Sequence, residues 1–555
     1  MITEDDDPIA APRGEGSSAT PVRRGVVPPR RVRASLLDEL IEATLEAISS
    51  SPTPTAARGS TNKLPFPAVS PPPIPDPPLP PSVAKFKTST SDRAALEAWL
   101  GPLDGLTKDD IVLRLNRDAG LIDKLLNDQV NAILHHPQFQ KLEASWRGLE
   151  YLVEQGADAN NLKIRILSVS WRDLVRDLER AIEFDQSQLF RKVYNDEFGS
   201  PGGEPFGLLL GDYEIEPAPR PGHDSDDVQA LTNISRVAAA AFAPFVASVS
   251  PVMFAADQFA DLQRSLNLGD SFDQPAFIKW RAFRQTEDSR FIGLTLPRIL
   301  MRLPYVDYPG RNDRFRFREE VGGPDQSKYL WGNAAYAFGG VVIRAFAETG
   351  WLADIRGIEP NQIGGGVVTG LPAHAFSADR RGVSRKCSTD LIVTDAQEKE
   401  LGELGFIPLC TCKRTELSAF YTTPSVQAAK KYDELAATVN ARLSSMLQYM
   451  LCVSRFAHYV KVIGRDRVGS FTESEDLESL LNNWLIRYAV GSDDVSDEVK
   501  ARFPLREAKV EVREHPSKPG VHLSVVHLRP HYQLDHLTAS LKLVTEVAPT
   551  QSNSV

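Results

Sequence analysis

Residues 133–153 read ILHHPQFQKLEASWRGLEYLV, and the proline in this stretch decides the local fold. Upstream, apolar residues recur every three to four positions over residues 121–134, which predicts an amphipathic helix. Pro137 disfavours helical backbone in the residue before it, so this helix should end at His135-His136. A second helix is predicted over residues 139–154. Histidine is favoured at a helix C-terminus by the helix dipole, and both histidines are therefore interpreted as helix-end residues rather than as metal ligands.

Beyond this helical pair, helical and strand patterns are interspersed, which predicts an α+β fold. Residues 162–169, LKIRILSV, alternate as a strand does. Residues 432–461 read as one long helix, in which Leu443, Leu447, Leu451 and Phe456 should be buried. The remaining predicted elements are a strand at 205–213, helices at 228–242 and 475–488, and a hairpin with strands at 508–512 and 521–528. Residues 245–249 form a short apolar stretch.

The end of the chain carries one more strand pattern. Apolar side chains alternate there at Leu537, Ala539, Leu541 and Leu543. A strand this close to a chain end, with one free edge, can pair with a neighbouring chain. These four residues are therefore the predicted inter-subunit strand.

The first 81 residues contain 17 of the 40 prolines, and residues 71–81 are nearly all proline. Proline lacks an amide donor and fixes φ, so this stretch should be an extended spacer. One amphipathic helix is predicted within the tail, over Ser35–Ile48. Its apolar face could bind a partner or dock on the body of the same chain, and the pattern leaves both alternatives open. That face is formed by Leu36, Leu37, Leu40, Ile41, Leu45 and Ile48.

Composition excludes several classes of protein. The 555 residues carry a formal net charge of −10, which argues against a protein that coats nucleic acid. Four cysteines cannot build a disulfide framework, and they fit a reducing, cytoplasmic compartment. No apolar run approaches the roughly 20 residues that a membrane-spanning helix needs, so no membrane insertion is expected.

Motifs for catalysis or cofactor binding are missing from the sequence. Gly364-Gly365-Gly366 lacks the spacing of a nucleotide-binding loop and is interpreted as a strained turn. Cys410 and Cys412 lack the second ligand pair of a zinc site. The carboxylate pairs Glu287-Asp288 and Glu319-Glu320 are interpreted as solvated surface groups. We therefore expect no enzyme activity, no cofactor and no metal.

The run 133–153 closely resembles the signature of the TssC/VipB family, the large subunit of the contractile sheath of the bacterial type VI secretion system. The resemblance extends over about Asp92 to Val547 and includes Ser35–Ile48. The Pro-rich spacer and the basic cluster Arg23–Arg33 depart from the family pattern. The other stretches that carry the resemblance are 181–185, 193–194, 202–207, 211–213, 279–284, 288–298, 329–336, 399–401, 404–409, 454–459 and 528–535.

The resemblance implies a structural protein without catalytic activity. Such a subunit pairs with a small sheath subunit, TssB/VipA, and polymerises on a membrane-anchored baseplate around a tube of Hcp. The sheath contracts to propel the tube and is recycled by the AAA+ ATPase ClpV. By the same resemblance, Leu36, Leu37, Leu40, Ile41 and Leu45 would bind ClpV. A sheath component of a related contractile injection particle is the alternative.

The resemblance and the composition together predict the domain organisation. A phage-tail-sheath-like sheet-and-helix core with interlocking C-terminal strands should occupy 430–547, after a mixed α/β middle domain at 92–429. The amphipathic helix at 35–48 should be flanked by a disordered tail, 1–34, and a Pro-rich linker, 49–91. Residues 548–555 should form a second disordered tail.

Overall fold

The chain divides into two compact units, Met1–Pro78 and Leu79–Val555, and the residues that the structure describes all belong to the second. The predicted helix 35–48 and the predicted strand residues Leu537 and Ala539 lie outside the described residues. The computed structural model describes residues 81–200, 202–264, 267–307, 315–322, 326–358, 364–376, 386–412, 415–466, 474–492, 495–514, 522–531 and 541–547.

The described part begins with helices, and the predicted helical pair at Pro137 is confirmed. Thr107 and Asp110 form a capping box that starts the third helix. His136 caps the fourth helix, and Pro137 occupies its first turn, where no amide donor is needed. These helices are α1 (Pro81–Thr88), α2 (Asp92–Leu100), α3 (Lys108–Leu134), α4 (Pro137–Gln155) and α5 (Trp171–Arg180).

A six-stranded sheet forms the middle of the molecule, in the order β1-β2-β3-β9-β10-β6. The first four strands in this order are parallel, and the last two run antiparallel to their neighbours. The strands of this region are β1 (Leu209–Ile215), β2 (Phe245–Val249), β3 (Ile292–Leu296), β4 (Ile299–Leu300), β5 (Trp331–Gly332), β6 (Val367–Val368), β7 (His374–Ala375), β8 (Lys386–Cys387), β9 (Ile407–Thr411) and β10 (Ser418–Phe420). Its helices are α6 (Asp227–Ala241), α7 (Ile278–Arg284), α8 (Ala334–Thr349) and α9 (Asp395–Glu403).

Helices cover both faces of this sheet. All five residues of β2 are buried. Phe245 and Ala247 pack into the core that contains α6, whereas Val246 packs into the core that contains α8. A strand that is apolar on both faces is typical of a parallel sheet with helices on either side. The short apolar stretch 245–249 is therefore a central strand of this sheet.

The C-terminal part is a three-stranded antiparallel sheet, β11-β12-β13, with helices packed against it. The predicted hairpin is confirmed, with Val510 opposite Val526. Leu481 and Phe456 pack with these two valines in a separate core. The elements are α10 (Leu435–Ser444), α11 (Leu447–Asp466), α12 (Ser474–Ile486), α13 (Asp497–Arg502), β11 (Leu505–Glu514), β12 (His522–Pro530) and β13 (Leu541–Val547).

The single helix predicted over 432–461 is wrong, because two helices, α10 and α11, occupy this region. Ser445 donates its side-chain hydroxyl to the carbonyl of Arg442, a local bond that competes with helix continuation. The Leu447 amide then donates to the carbonyl of Thr423, a residue outside the helix. The predicted burial of Leu443, Leu447, Leu451 and Phe456 is confirmed.

The prediction of a β-strand over residues 162–169 is also wrong, because this segment belongs to none of the sheets in the described part of the chain. The segment follows α4, and no described residue pairs with it in a β-ladder. Its alternating pattern is that of a strand, but the part of the chain that the structure describes supplies no neighbouring strand.

Candidate assembly surface

Helix α3 carries a wide apolar stripe that the described residues leave uncovered. Its 27 residues include a single buried one, Asn131. Leu121, Ile122, Leu125 and Leu126 are all exposed, with Leu125 at 68%. At 3.6 residues per turn these four side chains lie on neighbouring rows of one face. A helix with such a face is normally packed against another element, so α3 presents a surface suited to a partner.

Helix α4 has two apolar faces, and one of them is also exposed. Phe139, Leu142, Trp146 and Val153 recur at spacings of three, four and seven, so they form one stripe. All four are exposed, with Leu142 at 57%. An exposed row that includes a tryptophan and a phenylalanine is typical of an interface, because aromatic side chains dominate binding energy.

The opposite face of α4 packs closely on α8. A Cβ atom placed on Gly148 would lie 2.4 Å from Cδ2 of Tyr336, so glycine is required for this approach. A Cβ atom placed on Gly340 of α8 would lie 2.7 Å from Cε1 of Tyr151 on α4. The hydroxyl of Tyr151 also donates a 3.0 Å hydrogen bond to the carbonyl of Thr369. The stripe on α4 is therefore held on a rigid base.

A buried ionic cluster also fixes α4. Nε of Arg302 lies 2.8 Å from Oε1 of Glu143 on α4, and its Nη1 lies 2.5 Å from Oε2 of Glu319. Glu143 receives a second bond, 2.8 Å, from Nε of Arg147. Burial alone would lower the pKa of the Arg302 guanidinium, but the two hydrogen-bonded carboxylates raise it above its ordinary value. Arg302 therefore remains charged and ties α4 to the chain segment around Glu319.

This cluster corrects the interpretation of Glu319 as a solvated group. The residue is 4% exposed, and its carboxylate is bonded to Arg302 and to the backbone amide of Tyr305. Glu320 beside it is exposed. The different environments of Glu319 and Glu320 could not be predicted from the sequence, because Arg302 is 17 residues away from Glu319. A pair of adjacent carboxylates alone does not show which of them has a buried partner.

The extended segment 162–169 lies directly after α4 and adds to the exposed surface. Ile164, Ile166 and Leu167 are exposed, with Ile166 at 68%. Lys163 and Arg165 form ion pairs with Glu204, and Arg165 also pairs with Glu197. Exposed apolar side chains are thus present on this segment as well as on α4.

The predicted inter-subunit strand is only partly within the described residues. Leu541 and Leu543 belong to β13, where they pair in register with Leu528 and Val526 of β12. β13 is the outermost strand of its sheet in the described part of the chain. Exchange of this strand between subunits stays a prediction, as do the roles of Leu36, Leu37, Leu40, Ile41 and Leu45.

The glycine cluster 364–366 lies in a turn, and Cys410 lies in the core. Gly365 has a φ of +56°, and a Cβ on Gly366 would lie 2.1 Å from the carbonyl oxygen of Phe420, which fits the interpretation as a strained turn. Burial raises the pKa of the Cys410 thiol to about 12. Within the described ranges, no group of three or more His, Cys, Asp or Glu side chains is arranged to hold a metal ion. None of the described helices is long and apolar enough to cross a membrane.

Exposed apolar stripes on a packed scaffold are typical of a protein that assembles with other subunits. Two family models match this chain. They are the tail sheath N-terminal domain of VipB (EvpB/VC_A0108) over residues 116–427 and its tail sheath gpW/gp25-like domain over residues 436–547. The chain belongs to this VipB/EvpB family of tail sheath proteins.

Comparison with one known sheath protein agrees with this assignment. The chain is 41% identical over 445 residues to the type VI secretion system sheath protein TssC1 of Pseudomonas aeruginosa, covering 80% of this chain and 87% of that protein. Two cryo-EM structures of the anti-feeding prophage are more distant. Its baseplate matches at 10% identity and a TM-score of 0.29, covering 73% of this chain and 84% of that one. The contracted helical sheath of the anti-feeding prophage matches at 12% identity and a TM-score of 0.27, and the match covers 60% of this chain and 66% of the sheath chain.

Proposed function

We propose that this protein is the large subunit of a type VI secretion contractile sheath in the bacterial cytoplasm. In this proposal it pairs with a small sheath subunit of the TssB/VipA type and polymerises on a baseplate around an Hcp tube. The exposed apolar surface of α3 and α4 is the observation that carries the proposal. The sequence match to a type VI sheath protein supports it.

The small subunit would cover the stripes on α3 and α4. A stable interface buries about 1,200–2,000 Å² in total, and the stripes on these two consecutive helices would contribute to one side of it. Trp146 and Phe139 would be the aromatic anchors, surrounded by the leucines of both helices. Their rigid base, through Gly148 and Arg302, means that little ordering is needed on binding.

Assembly would also store the energy of contraction. Subunits that gain a little contact area on repacking contribute a small free energy each, and a sheath sums this over all its subunits. No nucleotide hydrolysis by this chain is required in such a mechanism.

The central test is co-expression of this chain with the small sheath subunit encoded beside it, followed by electron microscopy. Hollow ribbed tubules are expected. Two separate soluble proteins that do not associate would overturn the proposal. Trp146→Phe keeps an aromatic anchor and serves as the control for Trp146→Asp, which should abolish the tubules.

The terminal strand β13 would link neighbouring subunits through its free edge. A strand added to such an edge gains about four to six backbone hydrogen bonds, each contributing roughly 0.5–1.5 kcal/mol. Ser540→Pro, placed one residue before β13, should bend the strand and reduce tubule yield. A normal yield of tubules with Ser540→Pro would show that β13 does not link neighbouring subunits.

Recycling would use the segment Ser35–Ile48 as a tethered handle for the ClpV ATPase. A helix that is hidden in one sheath state and released in the other distinguishes spent from loaded sheath. A peptide of this segment should bind the N-terminal domain of the ATPase, and Leu37→Asp and Ile41→Asp should weaken that binding. Equal binding by the wild-type and substituted peptides would show that this segment has another role.

A further inference from the structure

Two asparagines on one side of α3 attach this helix to the body of the protein. Asn131 is the one buried residue of the helix, so apolar packing contributes little to holding it. Asn127 and Asn131 are four residues apart and therefore lie on the same face. Leu125, in the exposed stripe, is rotated from Asn127 by about 160° around the helix axis. The asparagine face and the apolar stripe are thus on opposite sides of α3.

Both asparagine side chains bond to the backbone of residues 316–320. Oδ1 of Asn127 accepts a 3.1 Å hydrogen bond from the amide of Arg318, and its Nδ2 donates at 2.7 Å to the carbonyl of Arg316. Oδ1 of Asn131 accepts a 2.9 Å bond from the amide of Glu320, and its Nδ2 donates at 3.3 Å to the carbonyl of Arg318. The two carboxamides therefore bond to this segment as the backbone of a neighbouring strand would. We call Asn127, Asn131 and residues 316–320 the asparagine clamp.

The spacing of the clamp follows from the geometry of a helix and an extended chain. Four residues of an α-helix rise about 6 Å. Two residues of an extended chain advance about 6.6 Å. Asparagines four positions apart can therefore bond to alternate residues of an extended segment. The amide of Glu319, between the bonded positions, donates in the other direction to the carbonyl of Tyr305, 2.9 Å away.

Asparagine is the residue type that this arrangement requires. Nδ2 of Asn127 also donates to the carbonyl of Asp123 on its own helix, 2.9 Å away. Nδ2 of Asn131 donates in the same way to the carbonyl of Asn127, at 3.0 Å. Both hydrogens of each NH2 group are therefore used, one for the helix and one for the segment. Aspartate would supply no donor, and leucine, which is close to asparagine in shape, would supply neither donor nor acceptor.

The segment that the clamp holds is also bonded to α4. The carboxylate of Glu319 bonds to Arg302, and Arg302 bonds in turn to Glu143 on α4. Residues 316–320 are thus connected to α3 through the asparagines and to α4 through the ionic cluster. This is a second connection between the two helices, in addition to the turn at His135-His136.

We propose that Asn127 and Asn131 are positioning residues for sheath assembly. The asparagine clamp fixes the orientation of α3 relative to α4, so the apolar stripe on α3 needs little ordering when a partner subunit binds. The asparagines act through the apolar side chains on the opposite side of the helix. This inference rests on the proposed function, in which a partner covers that stripe.

Hydrogen exchange of the full chain, resolved at single amides, tests the clamp without any partner. The double variant Asn127→Leu with Asn131→Leu removes the clamp and leaves α3 helical, since leucine favours a helix more than asparagine does. The amides of Arg318 and Glu320 should lose about tenfold or more of their protection. Asn116→Leu makes the same change at an exposed position of α3 and should leave both amides as in the wild type. Unchanged protection of both amides in the double variant would overturn the inference.

Electron microscopy of the same variants, co-expressed with the small sheath subunit, tests the role in assembly. The double leucine variant should reduce the yield of tubules about tenfold or more, whereas Asn116→Leu should give a normal yield. Asn127→Gln with Asn131→Gln keeps both polar groups on longer side chains and should recover part of the yield. Glutamine and leucine have similar helix propensities, so helix stability alone would not produce this difference. A normal yield with the double leucine variant would overturn the inference and leave the proposed function intact, whereas an absence of tubules with the wild-type chain would overturn the proposed function.

Discussion

Leu447 is the residue whose truncation tests the core most directly. It is completely buried at the first position of α11 and packs with Val246 and Ile407 of the six-stranded sheet. A Cβ on Gly293 would lie 2.8 Å from its Cδ2 atom, so its side chain reaches the face of β3. Leu447→Ala would open a cavity between the helix and the sheet.

The expected cost follows from this position. Replacement of a buried leucine by alanine destabilises proteins by about 2–5 kcal/mol, from lost transfer free energy and the cavity together. Complete burial beside a rigid sheet favours the upper half of that range, because glycine at 293 leaves no side chain that could fill the space. A change of 1 kcal/mol lowers the melting temperature of a domain of 150–250 residues by about 2–4 °C, so a decrease on the order of 10 °C is expected.

Leu435→Ala is the matched control. Leu435 also begins a helix, α10, but is 77% exposed. The same substitution there should leave the melting temperature of the full chain within about 1–2 °C of the wild type, since surface substitutions change stability by about 0.5 kcal/mol or less. Equal melting of the two variants, measured by calorimetry or circular dichroism, would refute the placement of α11 against the sheet.

Three further variants test the other features. Trp146→Asp should abolish binding of the small subunit in a pull-down without changing the melting temperature, and a lowered melting temperature would mean that the α4 stripe belongs to the core. Arg302→Met should destabilise the chain by about 3–5 kcal/mol in urea denaturation, because it removes the guanidinium that bonds to both buried carboxylates and leaves Glu143 with Arg147 alone; a loss below about 1 kcal/mol would argue against the cluster. Burial lowers the pKa of His458 to about 3, so the unfolded chain binds a proton between pH 6.5 and 3 that the folded chain does not, and stability should fall as the pH decreases through this window. His458→Phe should make the melting temperature less dependent on pH in that window, and an unchanged dependence would exclude His458 as its source.

Local patterns predicted the elements whose signals lie within a few residues. Pro137 marked the boundary between α3 and α4, and alternation at residues 508–512 marked the hairpin. The burial of Leu447 and Phe456 followed from helical periodicity alone. In each case the local sequence and the tertiary environment favour the same conformation, so the pattern was sufficient.

Other features depended on distant partners and could not be derived from the sequence alone. The break at Ser445 is fixed by contacts with residues 423–425, which are separated from it by 20 positions or more. Burial of Glu319 requires Arg302 and Glu143, which come from different parts of the chain. The exposure of the stripe on α4 could not be derived either, because periodicity identifies an apolar face without showing what covers it.

Helix α11 has a mechanical consequence for a sheath subunit. Leu447 and Leu451 are set into the core of the six-stranded sheet, while Phe456 and Val460 are set into the core of the C-terminal sheet. This helix of 20 residues is about 30 Å long and forms a strut, because its first half packs in one core and its second half packs in the other. A load applied to the C-terminal sheet is therefore transmitted along the strut to the central sheet without bending between them, because close-packed cores deform little. Movement during contraction would then be concentrated at contacts between subunits, and each subunit would turn as one rigid lever.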